Sequence, residues 1–380
     1  MRIPFTRPSL SAAEVRAAAR ALRNGTTVGN GPICLRVQDR LKELTGAEHV
    51  LLTPNATQAF EVGLLAYGVG PGDEVIMPSF AFVSMANAVL ARGAKPVFAE
   101  IDPTTLNLDT ADVAKRVNER TKMVMPVHYA GVPCDLDGLI ALCAEKNLVL
   151  FEDAAQAIAS KHRGRHLGTL GEAGCLSFHE TKNVTSGGEG GALFLRDDEV
   201  MRRAEIVHEK GTNRSAFLRG EVDKYTWISP GGSYVLSDLQ AAILEVQLER
   251  LDELTERRLD TWNTYHEAFA ELEQSGVVRR PTIPENAEHN GHIYFLVADS
   301  PERQARILSE LKRQGFSATF HFQPLHSSPF AREHLDCAND EMPHTDHACK
   351  CIVRLPLYSG LTRKKARMIA QAAIRAAESL

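Results

Sequence analysis

Asp153 and Lys182 are the residues of this 380-residue chain whose type and spacing could do chemistry. Asp153 ends the apolar run Asn147-Leu148-Val149-Leu150-Phe151, of the kind that forms a strand buried on both faces of a parallel sheet. In open α/β sheets ligands bind just beyond the carboxyl ends of the strands, which is where Asp153 would stand. Lys182 follows 29 positions later (153 to 182), in the polar loop His179-Glu180-Thr181-Lys182-Asn183. An apolar run from Cys175 to Phe178 precedes that loop; Gly187, Gly188, Gly190, Gly191 and a second apolar run, Ala192 to Leu195, follow it. The segment therefore reads as strand, loop, glycine turn and strand. A lysine at such a loop tip is ordinarily a solvated charge, and the spacing alone leaves that reading open. The other reading is chemical. An amine that bonds a cofactor aldehyde and an acid that holds a proton on the cofactor's ring nitrogen are the pair that pyridoxal phosphate requires.

The motifs around the two residues narrow the choice. They are Glu152-Asp153-Ala154-Ala155-Gln156, Ser177-Phe178-His179-Glu180-Thr181-Lys182-Asn183 and Gly187-Gly188-Glu189-Gly190-Gly191. With Pro71-Gly72-Asp73-Glu74-Val75 and Ser237-Asp238-Leu239-Gln240-Ala241-Ala242, they resemble the sugar-nucleotide aminotransferases of the DegT/StrS family, a fold type I pyridoxal-phosphate group. The likeness runs over nearly the whole chain and is densest from about residue 50 to 245.

The resemblance implies a large α/β domain with an N-terminal arm (residues 1–250), a mostly parallel sheet between helices, and a smaller α+β domain (251–380). It implies pyridoxal 5′-phosphate as cofactor, with a nucleotide-linked keto sugar and L-glutamate as partners. Carried over residue by residue, Lys182 bonds the cofactor and moves the proton, and Asp153 holds the pyridine nitrogen. Ala56, Thr57 and Ser177 receive the phosphate, Gln156 meets the phenolic oxygen, and Phe82 stacks on the ring unless it is a core phenylalanine. The family also brings one residue of a partner subunit to the phosphate, so a homodimer with shared sites is implied. Many members have asparagine there; this chain has Ser233, a shorter donor. His326 carries over as a substrate contact, with a surface histidine as the alternative. Four stretches, Ser177–Asn183, Val127–Val132, Glu209–Arg214 and Asp223–Trp227, are most similar to members that make dTDP-4-amino-4,6-dideoxygalactose for surface polysaccharide. The substrate so implied is dTDP-4-keto-6-deoxyglucose. The gluco epimer, or another keto-sugar nucleotide, is the alternative.

Composition agrees with a globular protein: 44% hydrophobic and 24% charged residues supply a core that needs no staples. A net charge of −5 gives no reason to expect nucleic acid or an acidic membrane surface. Seven cysteines without a CxxC pair read as reduced thiols. No apolar signal core opens the chain, and the longest uncharged stretch, 75–91, is broken by Pro78, Ser79, Ser84 and Asn87. A soluble, cytoplasmic protein is expected. His179-Glu180 and His208-Glu209 do not extend to HExxH, since Asn183 and Thr212 occupy the fifth position, so no metal is expected.

The elements that must position the site alternate strand and helix. Strands are predicted at 49–53, 74–79, 97–101, 122–127 and 147–151, and this alternation argues a mostly parallel sheet covered on both faces. Pro54-Asn55-Ala56-Thr57 lies where a strand gives way to a helix, a place that suits an anion, although Asn55 or Thr57 would also serve as a simple cap. Ser237 opens a long helix with an apolar stripe of Leu244, Leu248, Leu251 and Leu254, expected to bridge the two domains. Beyond it come a strand (292–297), a helix (302–314) and a strand (317–322). Three rivals remain: a sugar dehydratase of the same family, which has histidine in place of Lys182, a nicotinamide-dependent nucleotide-sugar oxidoreductase, and a non-catalytic protein that kept the fold. The oxidoreductase would need a GxGxxG turn, which the sequence lacks.

Overall fold

The computed structural model describes residues 2–335, 337 and 341–379. Seven strands form its central sheet: β1 His49–Thr53, β2 Glu74–Pro78, β3 Lys95–Ala99, β4 Thr121–Val124, β5 Val149–Asp153, β6 Ala173–Ser177 and β7 Gly191–Leu195. Their order is β1-β7-β6-β5-β4-β2-β3. Neighbours are parallel except where β7 runs against β1 and β6. The strands are apolar on successive positions because both faces are covered. Leu52, Leu150, Leu176 and Phe194 enter one core, while the adjacent Leu51, Phe151, Cys175 and Leu195 enter the other. The strand predicted over 97–101 lies two residues earlier, and the one predicted over 122–127 stops at Val124.

Helices begin where side chains satisfy their first N–H groups. Ser11 caps α1 (Ala12–Arg23) in a reciprocal box with Glu14, and Gly31 precedes α2 (Pro32–Thr45). α3 (Ala56–Ala66) starts two residues before the predicted Gln58, because the Asn55 side chain accepts the Gln58 N–H at 2.9 Å. α4 spans Ser84–Ala91. The long helix predicted from Ser237 is two helices, α5 (Asp238–Glu249) and α6 (Leu251–Ala268). They part at Arg250, whose guanidinium reaches Glu14 Oε1 at 2.8 Å and the Ser9 carbonyl at 3.3 Å. Leu244, Leu248, Leu251 and Leu254 are all buried, as the stripe predicts.

A second sheet, β8 (Val278–Arg279), β9 (Tyr294–Ala298) and β10 (Ile352–Leu355), is antiparallel in that order. It shares a core with α6, α7 (Pro301–Arg313) and α8 (Arg363–Glu378), built on Trp262, Tyr265, Tyr294, Val353 and Ile369. Residues 317–322, predicted as a strand, form no ladder: Thr319 alone pairs with Arg354, and Phe322 turns the chain with φ of 48°. The N-terminal arm is extended, as Pro4 and Pro8 suggest. Ile3 N–H donates to the Gly315 carbonyl at 2.9 Å, and the Phe5 carbonyl accepts from Leu357 N–H at 3.3 Å. These bonds pin the arm beside β10. Among the described residues, no helix is long and apolar enough to cross a membrane.

Candidate active site

The carboxyl ends of the parallel strands open on a cavity of about 450 Å³. Ala56, Thr57, Phe82, Asp153, Gln156, Ser177 and Lys182 all line it. One row of the sheet explains how residues so distant in sequence meet. Thr53 at the end of β1 pairs with Gly191 at the start of β7, which pairs with Ser177 at the end of β6. Gly191 has a steric task in that row: a Cβ there would stand 2.5 Å from the Asn55 carbonyl carbon and 2.7 Å from Ala56 N. Only glycine lets the turn before α3 lie directly on β7. Asn55 uses its side chain on Gln58 N–H, leaving the N–H groups of Ala56 and Thr57 at the positive end of the helix for an anion.

Lys182 sits in a loop folded back on the glycine run. Phe178 N–H donates to the Gly190 carbonyl at 2.7 Å, Glu180 N–H to that of Gly188 at 2.8 Å, and Lys182 N–H to that of His179 at 2.9 Å. Gly187 and Gly188 make the turn with φ of 91° and 157°, values that side-chain-bearing residues seldom adopt. Burial lowers the Lys182 ammonium pKa below its ordinary value; the Asp153 charge opposes this and Arg354 adds to it. The amine is thus easier to obtain in its neutral, nucleophilic form.

Asp153 is buried, with 7% of its surface exposed. Its Oδ1 accepts from Ala155 N–H at 2.9 Å and faces the Cys175 thiol at 3.9 Å. Burial raises its carboxyl pKa, opposed by the Ala155 N–H and the charge of Lys182. Beneath it Glu152 is fully enclosed: its carboxylate accepts from the N–H groups of Gly168, Leu170 and Gly171 and from His128 Nε2 at 2.7–2.8 Å. Burial would push that carboxyl up, but His128 and the N–H groups of Gly171 and Gly168 hold it low. The two neighbouring acids therefore differ in task, Glu152 fixing a loop and Asp153 facing the cavity.

Gln156 Oε1 accepts from Ala130 N–H at 2.8 Å, so its amide nitrogen remains as a donor. Phe82, 63% exposed, is no core residue; the buried aromatic nearby is Phe80. Ser233 lies outside the cavity, exposed, in a bridge to Glu209. His326 is neither at the surface nor in the cavity wall. It is 4% exposed, and its Nδ1 lies 2.7 Å from Ser79 Oγ, which commits the ring to an internal contact.

Several wall residues escaped the sequence reading as parts of the site, Phe5, Arg258, His292 and Arg354 among them, while His321, which lies with His326 in the region where relatives bring histidines to the substrate, does reach the wall. His292 Nδ1 meets Asn183 Oδ1 at 2.8 Å, and Asn183 Nδ2 in turn donates to the Asn290 carbonyl at 3.0 Å. That chain orients the amide and places the imidazole proton on Nδ1, leaving Nε2 as an acceptor. Burial, with the charges of Lys182 and Arg258, keeps His292 neutral well below the usual histidine range. His321 Nδ1 lies 2.7 Å from the Tyr129 hydroxyl, and burial raises the phenol while lowering the imidazole. The readable signal was Arg354, a lone charge inside the apolar run Ile352-Val353-Arg354-Leu355.

The wall fits pyridoxal phosphate: an anion turn with Thr57 and Ser177, an acid for a ring nitrogen, an aromatic face, an amide donor and an amine. Solved structures of known proteins share the fold. Spr1654 of Streptococcus pneumoniae, a sugar aminotransferase solved in its PMP-form, superposes with a TM-score of 0.92 at 26% identity, over 99% of each chain. The aminotransferase TlmJ of Streptoalloteichus hindustanus gives 0.89 at 30% identity, over 99% of each. DesV of S. venezuelae gives 0.90 at 28% identity, over 100% of this chain and 99% of its own. Residues 8–373 match the DegT/DnrJ/EryC1/StrS aminotransferase family, and the chain belongs to that family.

Proposed function

We propose that this aminotransferase acts on dTDP-4-keto-6-deoxyglucose with L-glutamate and pyridoxal 5′-phosphate, giving dTDP-4-amino-4,6-dideoxygalactose. The observation that carries the reading is the convergence of Lys182, Asp153, Ser177 and the Ala56-Thr57 turn on one cavity. Spr1654 has been solved in both PLP- and PMP-forms, which supports the cofactor. The likeness of Ser177–Asn183, Val127–Val132, Glu209–Arg214 and Asp223–Trp227 to galacto-specific members supports the sugar.

Bound there, pyridoxal phosphate supplies an aldehyde for the amino group and a ring that draws off the electron pair left on the donor's α-carbon. The chain's residues supply the rest. Thr57, Ser177 and the free N–H groups at the head of α3 take the phosphate, and the Asp153 carboxylate holds a proton on the ring nitrogen. A cationic ring nitrogen would also offset the burial that raises the Asp153 carboxyl. Gln156 donates to the phenolic oxygen and Phe82 covers the ring. Lys182 Nζ takes the proton from the donor's α-carbon and, in the second half of the cycle, delivers one to C4 of the sugar. We further place a partner subunit's Ser233 at each phosphate; fully active holoenzyme sedimenting as a monomer would remove that part.

The test is incubation with dTDP-4-keto-6-deoxyglucose and L-glutamate, with the product read by NMR. A small H3–H4 coupling marks the axial amine of the galacto product. A large one gives the equatorial, gluco amine and overturns the substrate-level reading, leaving the aminotransferase standing.

A further inference from the structure

We propose that Arg354 is the carboxylate anchor of the amino donor, held in position by Phe5 of the N-terminal arm. The inference rests on the transamination proposed above. A guanidinium buried without a counter-charge is costly, so structures answer such groups with a carboxylate or a set of carbonyls. This protein does so repeatedly. Arg250 meets Glu14 at 2.8 Å and Arg280 meets Glu273 at 2.7 Å. Arg258, another cavity residue without an acid, spreads its N–H groups over the carbonyls of Gly291, His292 and Leu357 at 3.2, 2.7 and 3.4 Å.

Arg354 receives neither answer. Its backbone is fixed, its N–H donating to the Thr319 carbonyl at 2.7 Å and its own carbonyl accepting from Thr319 N–H at 3.1 Å. Its side chain reaches the cavity wall, where Nε is buried and has no hydrogen-bond partner among the described residues. Its charge is felt by Lys182, His292 and His321, and of the groups around it only Tyr129, a phenol kept protonated by burial, favours the guanidinium's charge among the described residues. Its guanidinium carbon stands 4.6 Å over the centroid of the Phe5 ring. Stacking of that kind orients the planar fork without consuming its N–H donors. The fork is thus presented to the cavity, and what it fits is a planar or tetrahedral oxyanion bound through two parallel N–H···O bonds.

Besides the cofactor phosphate at the α3 turn, three oxyanions of the reaction could take it: the donor's α-carboxylate, its γ-carboxylate and the diphosphate of the sugar nucleotide; only the α-carboxylate is attached to the reacting carbon. Covalent structure decides between them. Lys182 Nζ must reach the reacting carbon, and Arg354 lies within electrostatic reach of Lys182, lowering its pKa. In the donor the α-carboxylate is one bond from that carbon. In the sugar the diphosphate sits on C1, across the hexose ring from C4. The oxyanion near the lysine is the α-carboxylate. Phe5 is a positioning residue here, and the Leu357 N–H bond to its carbonyl ties the arm to the segment two residues past the strand that carries Arg354.

The experiment uses the holoenzyme and the R354Q, R354K and F5A variants. Each is titrated with glutarate, a dicarboxylate that cannot transaminate, by calorimetry, and assayed for the KM of L-glutamate and of the keto-sugar nucleotide. In R354Q, glutarate affinity should fall and the KM for glutamate rise by about thirtyfold or more, the usual consequence of truncating a buried charged pair. The KM for the sugar nucleotide should stay within about threefold of wild type. R354K, which keeps the charge but not the fork, should lose at least about tenfold in glutamate KM; it stands in if R354Q does not fold. F5A should move glutamate KM the same way by a smaller factor. Unchanged glutamate KM and glutarate affinity in R354Q and R354K overturn the inference. So does a rise confined to the sugar nucleotide, which would give the guanidinium to the diphosphate. The glutarate titration does not involve the sugar, so an error in the sugar leaves that arm of the test intact. A wild-type holoenzyme that responds to no amino acid overturns the transamination reading itself.

Discussion

Gly191→Ala is the substitution whose outcome the geometry constrains most tightly. The added methyl would stand 2.5 Å from the Asn55 carbonyl carbon, 2.6 Å from its oxygen and 2.7 Å from Ala56 N. All three are backbone atoms, so no side-chain rotation relieves the clash. β7 cannot move aside either, because Gly191 is paired with Thr53 on one side and Ser177 on the other. Ordinary contact begins at 3.4 Å, so the turn before α3 must retreat by about 0.9 Å, from 2.5 to 3.4 Å. Overpacking of this kind costs about 1–3 kcal/mol of fold stability. The larger effect falls on the phosphate, because misplacing a binding group by about 1 Å costs roughly a hundredfold. The assay is titration of cofactor-free protein with pyridoxal phosphate and, in parallel, with pyridoxal, which lacks the phosphate. G191A should bind pyridoxal phosphate roughly a hundredfold more weakly and pyridoxal nearly as wild type does. A folded variant with unchanged pyridoxal phosphate affinity refutes the reasoning, and so does an equal loss for both ligands.

Two further outcomes follow from the charges. Asp153→Asn should keep the fold and lose roughly a thousandfold or more in turnover, since an amide cannot stabilise a protonated ring nitrogen; near-wild-type turnover would make Asp153 structural. Stability should fall between pH 6.5 and 5. Burial holds His208, His289, His292 and His321 below their ordinary range, His289 at about 4. Above about pH 6.5 folded and unfolded chains are both neutral at these positions. Below it the unfolded chain binds protons that the folded one refuses, which costs up to about 1.4 kcal/mol per pH unit for each histidine. Asp153 and Glu61, raised by burial, act in the opposite sense but are fewer. A urea midpoint that holds or rises from pH 7 to 5.5 contradicts this balance.

The parallel strands were legible because burial on both faces writes itself as an unbroken apolar run, as in Leu148 to Phe151. So was the wall built from short stretches at strand ends, Asp153 to Gln156 and Ser177 to Lys182, where neighbours in sequence are neighbours in the cavity. The order of the strands was not legible. That β1 pairs with β7 depends on a register between distant segments, which no local pattern encodes. The remaining wall was hidden for the same reason. Phe5, His292 and Arg354 reach the cavity through the second sheet and the arm pinned to it; Phe5 and His292 look ordinary in their own segments, and the lone charge of Arg354 in its apolar run marks it without saying what it faces. Residues 317–322 show the converse error. Their composition favours a strand, yet the left-handed backbone at Phe322 leaves only Thr319 paired. His326 was singled out for its neighbourhood, and Ser79 holds its ring instead.

The pairing of β1 with β7 also orders events during synthesis. The turn at Asn55 to Thr57 leaves the ribosome early, but the strand it must rest on is made only when the chain has passed Leu195. Ser177 and Lys182 emerge in that same interval. A nascent chain shorter than this holds the anion turn without its floor, so cofactor capture cannot guide the early steps of folding. It can only reward their completion. Loading with pyridoxal phosphate is thus a late checkpoint, and a ribosome-bound chain stalled before Gly191 should not retain the cofactor even with β1 to β5 already made.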